Sequence, residues 1–138
     1  VPRFPPEHFG RARLLDQRSK QFDTGVRQLE EEGLMQVVFP VHGRRDPILG
    51  VVGPLQLDIV EARLKQEYGV ECKIDPIAYV AMRWVTADAR TLSDLENRSS
   101  GVLRAVDRDE RPVLLFESPW HLNYMQQQNP DLELATLG

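Results

Sequence analysis

Residues 49–71 constrain the fold most, because they contain a strand, a helix and a second strand with turn residues at each junction. Gly53 provides a flexible turn, and Pro54 suits the first helical position, where its missing N–H would be unsatisfied in any case. Gly69 stands where a helix commonly ends in a left-handed C-cap. From Val70 onward apolar and charged residues alternate, as in a strand with one buried face. The segment therefore predicts a β-α-β unit.

The predicted helix over residues 54–68 carries six apolar side chains that we expect to form one broad buried face. They are Leu55, Leu57, Ile59, Val60, Ala62 and Leu64. Polar residues lie between them and should face water, and Glu61 and Lys65 have the i,i+4 spacing of an ion pair. We therefore expect this helix to pack on a sheet through its apolar face.

The residues on the N-terminal side of this β-α-β unit add further elements, which together give a known α+β order of strands and helices. A short strand is predicted over residues 8–14, followed by a helix that Asp16 could cap and that runs to Glu32. Strands over residues 34–40 and 48–52 then form a hairpin with a basic tip. The resulting order, β-α-β-β-α-β, is the ferredoxin-like split β-α-β pattern.

The second half of the chain is predicted to repeat that order after a break at Asp75-Pro76. Its expected elements are a strand at 77–86, a helix capped by Thr91 or Ser93, a hairpin of strands 102–106 and 113–116 around a charged turn, a helix begun by Ser118-Pro119, and a closing strand near Leu132 and Leu134. The predicted fold class is therefore α+β, a ferredoxin-like unit followed by a similarly ordered α+β half. We expect an irregular lead-in over 1–7, a ferredoxin-like subdomain over 8–75, and a second subdomain over 76–138 packed on the first.

Composition limits the classes of function. The 138 residues are 41% hydrophobic and 28% charged, as in an ordinary globular chain, and contain no apolar run near the roughly 18 residues of a membrane span. A net charge of −4 argues against strong, indiscriminate binding of nucleic acid. Cys72 is the only cysteine and is expected to be a small buried hydrophobe, which fits a reducing, cytoplasmic location. Because the chain begins without an initiator methionine or a leader pattern, we expect it to come from a longer protein.

No catalytic, metal-binding or cofactor-binding motif is visible. The chain lacks a phosphate-binding G-x-x-x-x-G-K-[ST] loop, and His8, His42 and His121 do not share a metal-ligand spacing. Ser118 lacks a nucleophile elbow and is explained as a helix cap. Aromatic residues predicted to lie in the core are Trp84, Phe116, Trp120 and Tyr124. We therefore expect this chain to be no enzyme by itself, and neither to bind nor to hydrolyse GTP.

Two basic groups remain as candidate binding residues. They are Arg11, Arg13, Arg18 and Lys20 near the start, and Arg44 with Arg45 at the tip of the predicted hairpin. Solvated surface charge is the ordinary explanation for both groups. An exposed pair of arginines nevertheless suits RNA phosphate or an acidic protein surface, because guanidinium groups form paired hydrogen bonds with such anions.

Several aperiodic motifs carry a family resemblance. The segments 20–22 (KQF), 28–33 (QLEEEG), 81–85 (AMRWV) and 118–120 (SPW), together with 49–71, resemble translational GTPases. The chain is most similar to the C-terminal domain of the bacterial class II release factors, peptide chain release factor three, and the similarity spans nearly the whole chain. These motifs mix glycine, charged and aromatic residues, so they are more specific than an amphipathic pattern.

The resemblance implies a ribosome-contacting domain of a GTPase that promotes dissociation and recycling of class I release factors after peptide release. In that family GTP and Mg²⁺ are held by an N-terminal domain, so this chain would carry no cofactor. The implied partners are the ribosome, through rRNA and a small-subunit protein, and the GTPase and β-barrel domains of the same parent chain. The fragment itself would be monomeric and away from membranes, and the six basic residues become candidate ribosome contacts.

Two alternatives remain open at this point. One is the third domain of another translational GTPase of the elongation factor G class, which would normally continue into a large further domain after the strand that begins at Ile77. The other is a small-molecule-binding regulatory domain of the ferredoxin-like type, which would need a glycine-containing ligand loop at a sheet edge.

Overall fold

The computed structural model describes residues 4–138, which form two successive β-α-β-β-α-β units. The strands are β1 (His8–Leu14), β2 (Gln36–Pro40), β3 (Ile48–Val51), β4 (Cys72–Ile77), β5 (Ala81–Val85), β6 (Val102–Val106), β7 (Pro112–Phe116) and β8 (Leu134–Ala135), and the helices are α1 (Ser19–Glu31), α2 (Leu55–Tyr68), α3 (Ala89–Arg98) and α4 (Pro119–Gln128). The α+β class is confirmed. Of the predicted lead-in, residues 1–3 lie outside the described residues, and residues 4–7 precede β1 without helix or strand. None of the described helices is long and apolar enough to cross a membrane.

The strands form one antiparallel sheet in the order β4-β1-β3-β2-β6-β7-β5-β8. The first four strands have the order β4-β1-β3-β2, and the last four have the equivalent order in the opposite direction. The halves meet where β2 pairs with β6, at Phe39 opposite Val106 and Pro40 opposite Ala105. The predicted repetition of element order is therefore confirmed, and it extends to the order of strands in the sheet.

The helices cover one face of the sheet in each half. In the first half, Leu29 of α1 and Leu64 of α2 belong to a buried cluster with sheet residues such as Leu49. In the second half, Leu92 of α3 and Met125 of α4 share a cluster with the corresponding strands. Each half thus buries one sheet face under its own pair of helices.

The opposite faces of the two halves contact each other. Their buried residues form one cluster, which we call the inner cluster: Phe9, Val38 and Ile48 from the first half with Met82, Trp84, Ala105, Val113 and Leu115 from the second. A sheet needs cover on both apolar faces, and here each half supplies that cover for the other. The result is a core with helices outside and two sheet faces between them.

Asp107 anchors the turn between β6 and β7 to this cluster. It is the one buried charged residue among those that the structure describes. Its carboxylate accepts hydrogen bonds from Trp84 Nε1, Arg111 Nε and the backbone N–H groups of Asp109 and Arg111, each at 2.9 Å. The sequence predicted a charged turn here, and these four donors compensate the burial of the carboxylate.

Helix α2 begins at Leu55, one residue later than predicted, because Pro54 is its N-cap, and it ends at Tyr68 as predicted, where Gly69 with a φ of 66° is the expected left-handed C-cap. The prediction of one broad buried face was wrong, because only Leu57, Val60 and Leu64 are buried. The other three apolar residues, Leu55, Ile59 and Ala62, are exposed and form what we call the outer face of α2. At about 100° per residue the two sets lie on opposite sides of the helix, and one sheet can bury only one of them.

The ion pair predicted within α2 is replaced by longer-range contacts. Glu61 accepts a hydrogen bond from the backbone of Ile74 at 3.4 Å, whereas Lys65 lies 3.5 Å from Glu71. Glu61 therefore contacts β4, and Lys65 contacts the loop before β4. The charges on α2 therefore tie the helix to the following strand.

Two predicted helix caps were assigned to the wrong residues. Helix α1 begins at Ser19, and the side chain of Asp16 instead accepts hydrogen bonds from the backbone of Arg18 and Glu71, at 2.9 and 3.0 Å. Helix α3 is capped by Asp88, whose side chain accepts a hydrogen bond from the backbone N–H of Thr91 at 2.8 Å. Neither Thr91 nor Ser93 is the N-cap. Asp16 therefore joins two loops that are distant in sequence, which local cap rules do not consider.

The expected break at Asp75-Pro76 was also wrong, because β4 continues to Ile77. Strand β4 lies at the edge of the sheet, where a proline removes no hydrogen bond to a second neighbour. The long strand predicted after the break is correspondingly shorter and covers only Ala81–Val85.

The aromatic residues were predicted correctly in only part of the chain. Trp84 and Phe116 are buried, but Trp120 and Tyr124 on α4 are 62% and 46% exposed. Their rings stack on each other with centroids 5.0 Å apart. Helix α4 begins as predicted, with Ser118 as N-cap, yet Met125 is the residue that it buries.

The two sides of α2 allow a matched test of this arrangement. Leu64→Asp should abolish stable folding, because Leu64 is 0% exposed and burying an unpaired charge removes several kcal/mol from a total of about 5–15 kcal/mol. Ala62→Asp should reduce the free energy of unfolding by less than about 1 kcal/mol, mainly through helix propensity. Urea unfolding of both variants checks the assignment, and equal losses would contradict it.

Candidate functional site

The first group of basic residues lies partly on strand β1. Side chains alternate along a strand, and Gly10 and Ala12 face the helices: a Cβ built on Gly10 would lie 3.2 Å from Leu57 Cδ1 of α2, and Ala12 belongs to the buried cluster under α1 and α2. Arg11 and Arg13 therefore point to the opposite face, the one that carries Phe9 of the inner cluster. Toward the C-terminal end of β1 this face no longer belongs to the inner cluster, and its side chains are charged.

The neighbouring strand β4 adds charges to the same place. Arg11 lies opposite Asp75 in the sheet register, and Arg13 lies opposite Lys73. Arg13 Nε donates to Asp75 Oδ2 at 2.5 Å. This hydrogen bond, and then the positive charges of Arg13, Lys73 and Arg11, hold the pKa of Asp75 below its usual range. Three cations thus surround one carboxylate.

The tip of the β2–β3 hairpin approaches this group. The backbone N–H of Ala12 donates to Pro47 O at 2.9 Å, so the hairpin runs beside β1. Arg44, whose side chain is 79% exposed, lies 3.4 Å from Asp46. The charge of Asp46 also raises the pKa of Arg13, after the stronger effect of Asp75. We call Arg11, Arg13, Arg44 and Lys73 the basic sheet surface.

The structure separates the remaining predicted residues from this surface. Arg45 turns toward the β6–β7 turn, where it lies 3.7 Å from Glu110 and places its guanidinium 5.7 Å from the ring centre of Phe39. Arg18 donates a hydrogen bond to the backbone oxygen of Gly69, and Lys20 lies exposed on α1. Of the six predicted residues, the fold therefore brings together Arg11, Arg13 and Arg44.

Lys73 was missed by the sequence reasoning, as were its acidic neighbours Asp46 and Asp75. The alternation of apolar and charged residues from Val70 onward did place Lys73 on the outward side of a strand. What the sequence does not show is the cross-strand register, which puts Lys73 beside Arg13. On this surface the cations outnumber the carboxylates, so it is locally positive although the chain has a net charge of −4.

The described residues give weaker support to a ligand cavity, a reactive cysteine or a metal site. A cavity of about 610 Å³ is lined by both halves, and some of the charged residues that line it pair with each other, as in the 2.7 Å contact of Arg108 with Glu30. Burial raises the pKa of Cys72 to about 11, so the thiol is protonated at neutral pH and unsuited to nucleophilic attack. Within residues 4–138, no three His, Cys, Asp or Glu side chains are grouped as metal ligands would be.

Comparison with known proteins identifies the class. A family model described as "Class II release factor RF3, C-terminal domain" matches residues 1–126. A peptide chain release factor 3 from Gloeobacter violaceus is 43% identical over 142 residues, which cover all of this chain and 26% of that protein. The homologue of the same name from Symbiobacterium thermophilum is 41% identical over 136 residues, covering 96% of this chain and 25% of its own length.

This chain belongs to the family of class II release factor C-terminal domains. The resemblance found in the sequence motifs is thereby confirmed. The chain spans about a quarter of the length of the release factors that it matches.

The Arg13–Asp75 pair gives a pH-dependent test of the surface geometry. Because the folded-state pKa of Asp75 is lowered from 3.8, the stability that this group contributes is complete above about pH 4 and is lost as pH falls through the lower value. Titration of the Asp75 carboxyl carbon by NMR should give a pKa below 3.8, which Arg13→Ala should raise more than Lys73→Ala does. An Asp75 pKa unaffected by Arg13→Ala would disprove the contact.

Proposed function

We propose that this chain is the ribosome-contacting C-terminal domain of a translational GTPase that acts in the cytoplasm during termination. The parent protein would promote dissociation and recycling of class I release factors after peptide release. GTP and Mg²⁺ would be bound and used by an N-terminal domain. This chain would supply contacts and no catalytic step, and would by itself be monomeric.

The observation that carries the proposal is the basic sheet surface. Arg11, Arg13 and Lys73 come from the paired strands β1 and β4, which fix their spacing. Arg44 adds a fourth charge from the tip of the β2–β3 hairpin. Arginine presents paired donors to phosphate, and lysine adds a mobile point charge. A locally positive patch on a chain of net charge −4 favours contact with RNA phosphate at one place over indiscriminate binding.

Arg44 is the residue best placed for a first contact. Its side chain is the most exposed of the arginines whose ion pairs are described, at 79%, and it stands on a turn between two paired strands. Asp46 lies within 3.4 Å but is itself only 20% exposed. The tip can therefore reach a phosphate without any change in the core.

Between the two translational GTPase classes, the comparisons favour the release factors. The family model and the relatives named above both belong to peptide chain release factor 3. A small-molecule regulatory role would require a glycine-containing ligand loop at a sheet edge, and in the cavity described above Arg108 already pairs with Glu30.

The test uses a full-length release factor that contains this segment. The double variant Arg44→Ala/Lys73→Ala should weaken ribosome binding and slow release-factor recycling. Two lost phosphate contacts should also reduce the slope of log affinity against log salt by about 1.5, since each contributes roughly 0.7–0.9. Equilibrium binding to ribosomes over a range of salt concentrations measures both effects.

The matched control is Arg90→Ala/Arg98→Ala, which removes the same charge from the exposed side of α3. Both double variants should keep the parent's melting temperature and nucleotide affinity. Equal ribosome affinity for the two, at low and at moderate salt, would assign the basic sheet surface to ordinary solvated charge.

A further inference from the structure

The outer face of α2 is unusual for a helix at the surface of a domain. Leu55 is 72% exposed and Ile59 47%, with Ala62 completing the i, i+4, i+7 row and Val52, 46% exposed, just before the helix. The opposite side of the same helix is fully packed on the sheet. A helix that is apolar on two opposite sides is typical of one that is covered on both.

Helix α1 supplies an internal comparison. It lies beside α2, joined to it by the hydrogen bonds of Arg63 to Glu32 and of Tyr68 to Gln28. Its exposed residues are polar or charged throughout, namely Ser19, Lys20, Gln21, Asp23, Thr24, Arg27, Gln28 and Glu31. Two neighbouring helices on one sheet face therefore present different surfaces, and only that of α2 is suited to an apolar partner.

The path of the chain indicates what covers this face. Before β1, the backbone N–H of Glu7 donates to Val51 O at 3.0 Å, immediately before the turn that leads into α2. Phe4, itself 65% exposed, lines one cavity together with Val52 and Gln56. The segment that precedes β1 thus reaches this domain near the N-terminal end of α2, at Val51, Val52 and Gln56.

We propose that the outer face of α2 is the docking surface for the preceding part of the same release-factor chain. The matched relatives are about four times as long as this segment, and the matching family is a C-terminal domain, so most of such a protein precedes it. A tethered neighbour that arrives beside an apolar row has a high effective concentration at it. The inference rests on the proposed function in one respect, namely that the neighbouring domain is the preceding part of the release-factor chain.

This docking would orient the basic sheet surface. Arg11 and Arg13 lie on the face of the sheet opposite the helices, whereas the outer face of α2 lies beyond the helix layer. A partner held on α2 therefore leaves the basic sheet surface open. The domain would be held by one side and would contact phosphate with the other.

The experiment measures thiol modification in the full-length protein without ribosomes. Ile59→Cys places a thiol on the outer face of α2, and Thr24→Cys places a matched thiol on the exposed side of α1. Native Cys72 is buried and its pKa is raised to about 11, so it reacts slowly in both variants. We expect the thiol introduced at position 59 to react roughly tenfold more slowly than the thiol introduced at position 24, because modification must await local opening of the contact.

A photo-crosslinking amino acid at position 59 gives a second readout that does not depend on reaction rates. Mass spectrometry should locate its cross-links in the preceding part of the same chain, in protein that light scattering shows to be monomeric. If Ile59→Cys impairs folding, Leu55→Cys at the exposed first turn replaces it.

Three outcomes would overturn the docking proposal. Equal reaction rates would show that the face is free, cross-links between copies with a doubled mass would assign it to a dimer, and protection only after ribosomes are added would assign it to the ribosome. None of these changes the affinity difference expected for Arg44→Ala/Lys73→Ala. Failure of the docking proposal is therefore distinguishable from failure of the proposed function.

Discussion

The burial of two sheet faces against each other is the interaction on which the rest of the structure depends. Each half is a ferredoxin-like unit whose helices cover one face, and the other face carries large apolar residues such as Phe9 and Val38 in one half and Met82 and Leu115 in the other. Burying a side chain of this size contributes about 1.5–3 kcal/mol. Separation of the halves would expose all of these apolar side chains to water at once. Each half therefore excludes water from the inner face of the other.

The position of the basic sheet surface follows from this contact. Strands β2 and β6 join the halves, and β4 is the strand of the first half that lies farthest from that junction. Toward that edge the inner face is only partly covered: Arg11 is half-buried, and the side chain of Arg13 is 38% exposed on a face that is apolar elsewhere. A charged surface thus forms at the edge of a core, where Asp75 hydrogen-bonds Arg13, while the Nε of Arg11 is buried without a hydrogen-bond partner among the described residues.

Sequence periodicity predicted the elements well because it reports on each strand or helix separately. It located α2, its glycine cap and the repeated element order, and the family motifs located the class of protein. It misplaced Leu55 and Ile59 because periodicity shows that residues are apolar, not how many faces a helix has to bury. The grouping of Lys73 with Arg13 depends on register between strands that are distant in sequence, and no local pattern encodes that register. The division at residue 75 into two subdomains stays a prediction.

The central claim is that the two halves share one core, and native-state hydrogen exchange tests it most directly. If the inner cluster holds both halves, the slowest backbone amides of β3 and β7 should exchange with the same free energy and converge as denaturant is added. Substitution of Leu115 by Ala, at a site that is 0% exposed, should then lower the protection of β3 as much as that of β7, by about 2–5 kcal/mol. Protection of β3 that stays unchanged while that of β7 falls would show two independently stable units and would contradict this account.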